Sequence, residues 1–224
     1  MVKASQNKLV LHVNILPSAT KRAFLFFEKQ SWLRRSEWYL AGGTALALFD
    51  GHRQSLDLDF FTAKKNFSLN SLLAHFSRPE WESDIIQEGT VYGRLLGAKV
   101  SFIAYPFFVP KHFQWYGPIR ILEPRDIATM KIVAISQRGR KRDFFDLYWY
   151  VTHHEPLINV LRRLPKQYPT VAHNYHHIMK SLVYFTDAEN DLMPLLFFDA
   201  TWDKVKRFFV REVPRITREL LMRL

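Results

Sequence analysis

No cysteine occurs in the 224 residues. Disulfides and thiolate-bound zinc are therefore excluded, and the chain suits a reducing compartment. Long apolar runs are also missing. The stretch "VSFIAYPFFVP" is among the longest, well short of the roughly 20 residues that span a bilayer. No membrane span is expected. The beginning of the chain, "MVKASQNKLVLHVNILPSATKRAF", lacks a long apolar core and a cleavage site, so no signal peptide is expected either. These absences point to a soluble, cytoplasmic protein. There is no internal repeat and no low-complexity segment. Acidic residues are in deficit, with 21 Asp+Glu against 32 Lys+Arg and a formal net charge of +11. Such a balance favours polyanionic partners, chiefly nucleic acid, or equally a well-solvated basic surface, and it is silent about fold.

What is present reads as a globular chain with ample core: 48% of residues are apolar and 15% aromatic. "SATKRAFLFFEKQSWL" has helical spacing. "EWYLAGG" reads as a short strand ending at a glycine turn, "TALALFDG" as a short helix closed by Gly51, and "SLDLDFF" as an alternating strand. "SLNSLLAHF" is a further short helix. From Asp84 to Pro106 three strands follow, "DIIQEG", "TVYGRLLG" and "AKVSFIAYPF", with Gly89 and Gly97 at the turns of an antiparallel meander. Pro124 then opens a long helix, "DIATMKIVAISQR", closed by Gly139. Beyond it nearly everything is helix-compatible. The expected class is α+β: a mixed sheet with packed helices over residues 1–124, then a mainly helical region over 125–224.

Two short patterns carry chemistry. In "GGT", Gly42 and Gly43 can adopt backbone angles closed to other residues and admit a ligand to the main chain. Thr44 can cap the helix that follows, whose free N–H groups would suit phosphate. The plainer reading is a tight turn that needs glycine for its geometry alone. In "DLDFF", strand alternation turns Asp57 and Asp59 to one face. Paired carboxylates repel each other without a cation and suit Mg²⁺, which takes oxygen ligands from one or two carboxylates and a substrate phosphate. The plainer reading is a solvated outer strand face. Together, a glycine turn, a short helix and a D-x-D strand form a phosphate cradle beside a metal clamp.

Further on, Lys131 is the only charge between Ile127 and Ile135, on a helix apolar almost all round. If buried it needs a carboxylate or a phosphate as partner; otherwise it snorkels to the surface. "GRKRDFFDL" sets Arg140, Lys141 and Arg142 ahead of a helix expected to start near Asp143. Cations there oppose the helix dipole unless an anion binds. Asp143 and Asp146, three apart, share one helical side, and Asp143 would serve equally well as a helix cap. The histidines of "AHNYHHI", His173 and His177 above all, read mainly as a polar face. "KRFFVREVPRITREL" reads as a packed basic terminal helix.

The stretch "GGTALALFDGHRQSLDLDF" resembles the G-G-S/T…D-x-D signature of DNA polymerase β-like nucleotidyltransferases. With "DIATMKIVAISQRGRKRDFFDLYWY" downstream, the chain is similar to the AbiEii/AbiGii-type nucleotidyltransferase toxins. That resemblance implies a toxin of a phage-defence type toxin–antitoxin system, with a separately encoded antitoxin. It implies an NTP substrate with Mg²⁺ (or Mn²⁺), and for some members an RNA acceptor such as the tRNA 3′ end. It assigns Gly42, Gly43 and Thr44 to the β/γ-phosphates, and Asp57 and Asp59 to metal. Lys131 would pair with phosphate or an active-site acid. Asp146, or in second place Asp143, would handle the acceptor hydroxyl. Arg140, Lys141 and Arg142 would contact phosphate. One departure stands out: the relatives usually carry a third carboxylate on a later strand, where "AKVSFIAY" has Ser101. Glu88, Asp143 and Asp146 are the available substitutes. The alternatives are a catalytically degenerate nucleotide or RNA binder, or transfer to a small molecule or protein hydroxyl.

Overall fold

The computed structural model describes residues 10–221; residues 1–9, the first part of the segment read above for a signal peptide, lie outside them. Helices α1 (Ser18–Glu28) and α2 (Ser31–Arg35) precede the short strand β1 (Tyr39–Ala41), helix α3 (Gly42–Asp50) and strand β2 (Leu58–Thr62). Helix α4 (Leu69–Leu73) leads to β3 (Trp81–Gln87), β4 (Thr90–Leu95) and β5 (Ala98–Ala104), then β6 (Phe113–Tyr116) and β7 (Ile119–Leu122). The rest is helical: α5 (Pro124–Arg138), α6 (Lys141–His153), α7 (Leu157–Gln167), α8 (Tyr175–Ser181), α9 (Thr186–Glu189) and α10 (Trp202–Leu221).

All the strands form one mixed sheet in the order β3-β4-β5-β2-β1-β7-β6. The expected meander is there, with Gly89 and Gly97 at positive φ in its two turns. The hairpin β6–β7, turning at Gly117, extends the sheet beyond the strands expected from sequence. It places β7 parallel to β1, so the three-residue β1 is flanked on both sides and fully buried.

Strand alternation sorts the two faces. Leu58, Phe60, Val100 and Phe102 point into an apolar layer under α1, where the Phe27 ring lies 4.6 Å from Phe60 and 6.1 Å from Phe102. Burying such rings is worth a few kcal/mol each, which makes this layer the principal anchor of the sheet. Asp59, Phe61, Ser101 and Ile103 occupy the other face, opposite α5. A continuous core joins the sheet to α5, α6, α7 and α10. In α10, Val205, Phe209, Val213 and Ile216 form the buried stripe, so this basic terminal helix is packed on the body. Gly51 and Gly139 end α3 and α5 in left-handed conformations, as their positions led one to expect.

Candidate active site

The turn after β1 is tighter than a loop. Helix α3 begins at Gly42 itself, and no side chain caps it. Thr44 is therefore not a cap but a buried residue inside the first turn. Its hydroxyl donates to the main-chain carbonyl of Asp57 and pairs with the Ser55 hydroxyl at 2.8 Å, fixing the segment that enters β2. The threonine thus acts on Asp57 through the backbone and does not line the cleft. Gly42 has φ +72°, and a Cβ there would come within 2.9 Å of the Asp59 carboxylate. A Cβ on Gly43 would come within 2.2 Å of the Arg53 guanidinium. Both glycines are needed to let charged side chains lie against the main chain.

Asp57 is the residue before β2, and Asp59 is its second residue. Both line a cavity of about 270 Å³ between the sheet and α5, with Gly42 and Gly43 at one end. Asp57 is partly exposed, and the Arg142 guanidinium lies 3.2 Å from it. Asp59 is held above the usual carboxylate pKa, mainly by burial and further by the Asp57 charge, against the hydrogen bond from Ser101. That bond, Ser101 Oγ to Asp59 Oδ1, is 2.6 Å. The register of β2 and β5 sets Ser101 directly beside Asp59. The serine thus sits directly beside Asp59 and serves as a donor to it.

Lys131 is buried, and its partners are carboxylates: Asp143 Oδ1 and Asp146 Oδ2, each at 2.6 Å. Asp146 is also gripped by Arg53, Nε at 2.6 Å and a terminal nitrogen at 2.8 Å, and by His52 Nε2 at 2.8 Å. Burial alone would raise the pKa of Asp146, but Arg53, Lys131 and His52 together hold it well below the usual range. Burial likewise pushes His52 below its ordinary value, so the ring is neutral and donates to Asp146 through Nε2. Two cations and two carboxylates balance in this cluster, which is how a buried charge group avoids a large desolvation penalty.

The two acids differ in what is left over. Both oxygens of Asp146 are engaged, and the residue stays out of the cavity lining. Asp143 lines the cavity, and its Oδ2 has no hydrogen-bond partner, with the Arg138 guanidinium at 3.6 Å. Of the two acids read from sequence as handling the acceptor, Asp143 reaches the cavity and Asp146 does not. Helix α6 starts at Lys141, so Asp143 lies inside its first turn and is not its cap.

The basic run divides. Arg142 faces the cleft. Arg140 pairs with Asp191 at 2.9 Å. Lys141 turns away: its ammonium binds the carbonyls of Glu189 and Asp191, and it is absent from the cavity lining. The anion that a cationic helix start requires proves to be Asp191, whose Oδ2 accepts the Lys141 main-chain N–H at 3.0 Å. Glu88 is an exposed residue in the β3–β4 turn, away from Asp59, and so is no substitute for a third acid. His173 and His177 bind the carbonyls of Tyr168 and Ser136. Arg53, His52 and Arg138 belong to the site, although nothing in their local spacing singled them out. The available signal was that "DGHRQS" lies inside the glycine-to-aspartate stretch.

The donor set fits a small divalent cation. Two carboxylates come together at the cleft, and no cluster of three or more His, Cys, Asp or Glu side chains able to hold a metal occurs among the described residues. Mg²⁺ commonly keeps water and substrate phosphate oxygens beside one or two carboxylates. The raised pKa of Asp59, due mainly to burial with a contribution from Asp57, is relieved when a cation sits between them.

The profile of the family described as "Nucleotidyl transferase AbiEii toxin, Type IV TA system" matches residues 33–91 and 100–221. An uncharacterized protein of Aquifex aeolicus, aq_aa25, is 37% identical over 186 residues, covering 80% of this chain and 87% of that protein. The crystal structure of JHP933 from Helicobacter pylori is similar with a TM-score of 0.54 at 19% identity, over 93% of this chain and 96% of that one. MenT4, a nucleotidyltransferase toxin from Mycobacterium tuberculosis, has a TM-score of 0.48 at 16% identity, over 88% and 86% of the two chains.

Proposed function

The chain belongs to the AbiEii family of nucleotidyltransferase toxins, and from that premise we propose that it transfers a nucleotidyl group from an NTP to an RNA hydroxyl. One observation carries the assignment of the site. Asp57 and Asp59 share one cavity with the guanidinium groups of Arg53, Arg138 and Arg142, and Gly42 and Gly43 line it too. Triphosphate needs cations around it and a main chain it can approach closely. Phe61, Ile103, Tyr105, Ile127 and Met130 supply an apolar slot for the base between sheet and α5.

Asp57 and Asp59 would hold Mg²⁺ (or Mn²⁺), which when bound offsets triphosphate charge and polarises the reacting phosphoryl group. The chain's own residues do the rest. Arg142 and the Gly42–Gly43 main chain bind and orient the β- and γ-phosphates. Arg140, at the rim, is positioned for the acceptor. The acceptor oxygen bonds to the α-phosphorus, the bond from that phosphorus to the α–β bridging oxygen breaks, and pyrophosphate leaves. The hydroxyl proton passes to Oδ2 of Asp143, which accepts no hydrogen bond and has the Arg138 guanidinium 3.6 Å away. Lys131 and Asp146 position Asp143 and Arg53 without touching substrate.

The net charge of +11 supports RNA as acceptor, with the tRNA 3′ end as the family's example and phage defence, opposed by a cognate antitoxin, as the setting. Among the described residues no helix is long and apolar enough to cross a membrane. The test is to incubate the protein with each α-labelled NTP, Mg²⁺ and cell extract, and to identify what carries the label. Labelled RNA, lost with Asp57→Ala, is the expected result. Label on protein or a small molecule would overturn the acceptor.

A further inference from the structure

A second cavity, of about 660 Å³, opens beside the first. Arg53, Ser55, Arg138 and Arg142 line both, so the two spaces are joined at their guanidinium groups. Arg140 adds a fourth guanidinium to the second cavity, and Asp191 is its one carboxylate, already paired with Arg140. A third cavity, of about 270 Å³, meets Asp57 and Asp59 from the β4–β5 side. It carries a further acid, Asp84, and only Lys99, Arg138 and Arg142 as cations. In the second cavity Arg53 is bound to buried Asp146, whereas the half-exposed Arg138 and Arg140, with their nearest carboxylates at 3.6 and 2.9 Å, keep N–H groups turned to solvent for an incoming anion.

The wall facing the arginines is apolar and exposed. Leu192, Met193 and Leu195 are 93%, 49% and 57% exposed, and Leu56 beside them is 57% exposed. A lone exposed leucine is ordinary, but four apolar side chains around one basic cavity form a patch. They are held outward. The Gln54 N–H donates to the Leu195 carbonyl at 2.9 Å, and the Phe197 N–H donates to the His52 carbonyl at 2.8 Å. The bridge between Arg53 and Leu196 completes this short antiparallel pairing.

We propose that this groove receives the single-stranded end of the RNA acceptor. Arg138 and Arg140 meet its phosphates, and the Leu192–Leu195 rim takes the faces of its unstacked bases. The occupant is a substrate because the groove opens into the reaction cleft, and a transferase needs a second substrate there. It is single-stranded because a duplex buries the base faces that an apolar rim would contact. The assignment rests on the reading of the cleft as an NTP site with an RNA acceptor.

The test compares wild type with Leu192→Glu/Leu195→Glu and with Met193→Trp, whose larger ring extends the rim. Binding of a fluorescent single-stranded oligoribonucleotide and of a fluorescent NTP analogue is titrated for each, with melting recorded. The glutamate pair should weaken oligonucleotide binding by about tenfold or more, and Met193→Trp should tighten it. NTP affinity and melting should be unchanged for both. Oligonucleotide binding that neither variant alters, with wild-type transfer to RNA intact, overturns the groove alone and marks the apolar rim as a surface for something other than RNA. Should the glutamate pair melt early, the direction of the Met193→Trp effect decides the proposal. A wild type that binds NTP but neither binds nor labels RNA overturns the acceptor reading and the groove with it.

Discussion

At the scale of single residues, the site separates acids that hold the fold from acids free to act. Asp146 is locked between Arg53, Lys131 and His52. Asp146→Ala leaves buried cations unpaired and should cost about 3–5 kcal/mol, read as a large drop in melting temperature. Because its folded pKa is depressed, Asp146 contributes stability that is present above the ordinary carboxylate pKa and lost as pH falls through the depressed one. Asp59 behaves in the opposite sense. Its pKa is raised, so its contribution is whole below the ordinary value and is lost as pH rises through the raised one. Asp59→Asn should therefore melt at or above wild type at neutral pH, with the difference closing in acid. The same change should lower transfer by about a hundredfold or more. Melting curves at several pH values beside labelled-nucleotide transfer check both signs at once. Asp59→Asn that melts well below wild type at neutral pH would contradict the assignment of Asp59 as a functional charge that the fold itself opposes.

At the scale of elements, the start of α6 shows how a local problem is solved from a distance. Three cations crowd a helix N-terminus, and the compensating anion, Asp191, comes from fifty residues downstream. Asp191→Ala removes an acceptor for the Lys141 N–H and a partner for Arg140, and should destabilise by about 1 kcal/mol. Chemical denaturation measures it; an unchanged midpoint would show that the contact carries no stability. This pairing also marks where sequence reading stops. The D-x-D strand and the glycine turn were legible because strand alternation and turn chemistry are local, whereas Ser101 stood out only through the family resemblance and is set beside Asp59 by the register of β2 and β5, 42 residues apart. The need of Lys131 for a partner was legible from its apolar helix, and the partner proved to be a pair of carboxylates. Arg53 lay within the diagnostic stretch, yet its partner Asp146 is 93 residues away, and no short-range pattern encodes such a match. The β6–β7 hairpin escaped notice because each of its strands is only four residues long, too short for alternation to stand out.

At the scale of the whole molecule, the excess of positive charge has a measurable signature. Guanidinium groups that meet RNA phosphates release counterions, so binding should weaken steeply between low and moderate salt. Arg140→Ala should reduce that slope by about one and lower affinity similarly for different RNA sequences, because phosphate contacts position without specifying. A salt-independent affinity would rule out a phosphate-based interface. A last consequence follows from the placement of β1, which is paired on one side with β7, and from the grip of Arg53 on Asp146. During synthesis the glycine turn and both D-x-D aspartates leave the ribosome long before the residues that complete their surroundings. A nascent chain shorter than Leu122 leaves β1 without its second neighbour, and one shorter than Asp146 leaves Arg53 without its anchor. The cleft is therefore incomplete over more than half of the 224 residues, and the growing chain assembles it only once Asp146 has emerged.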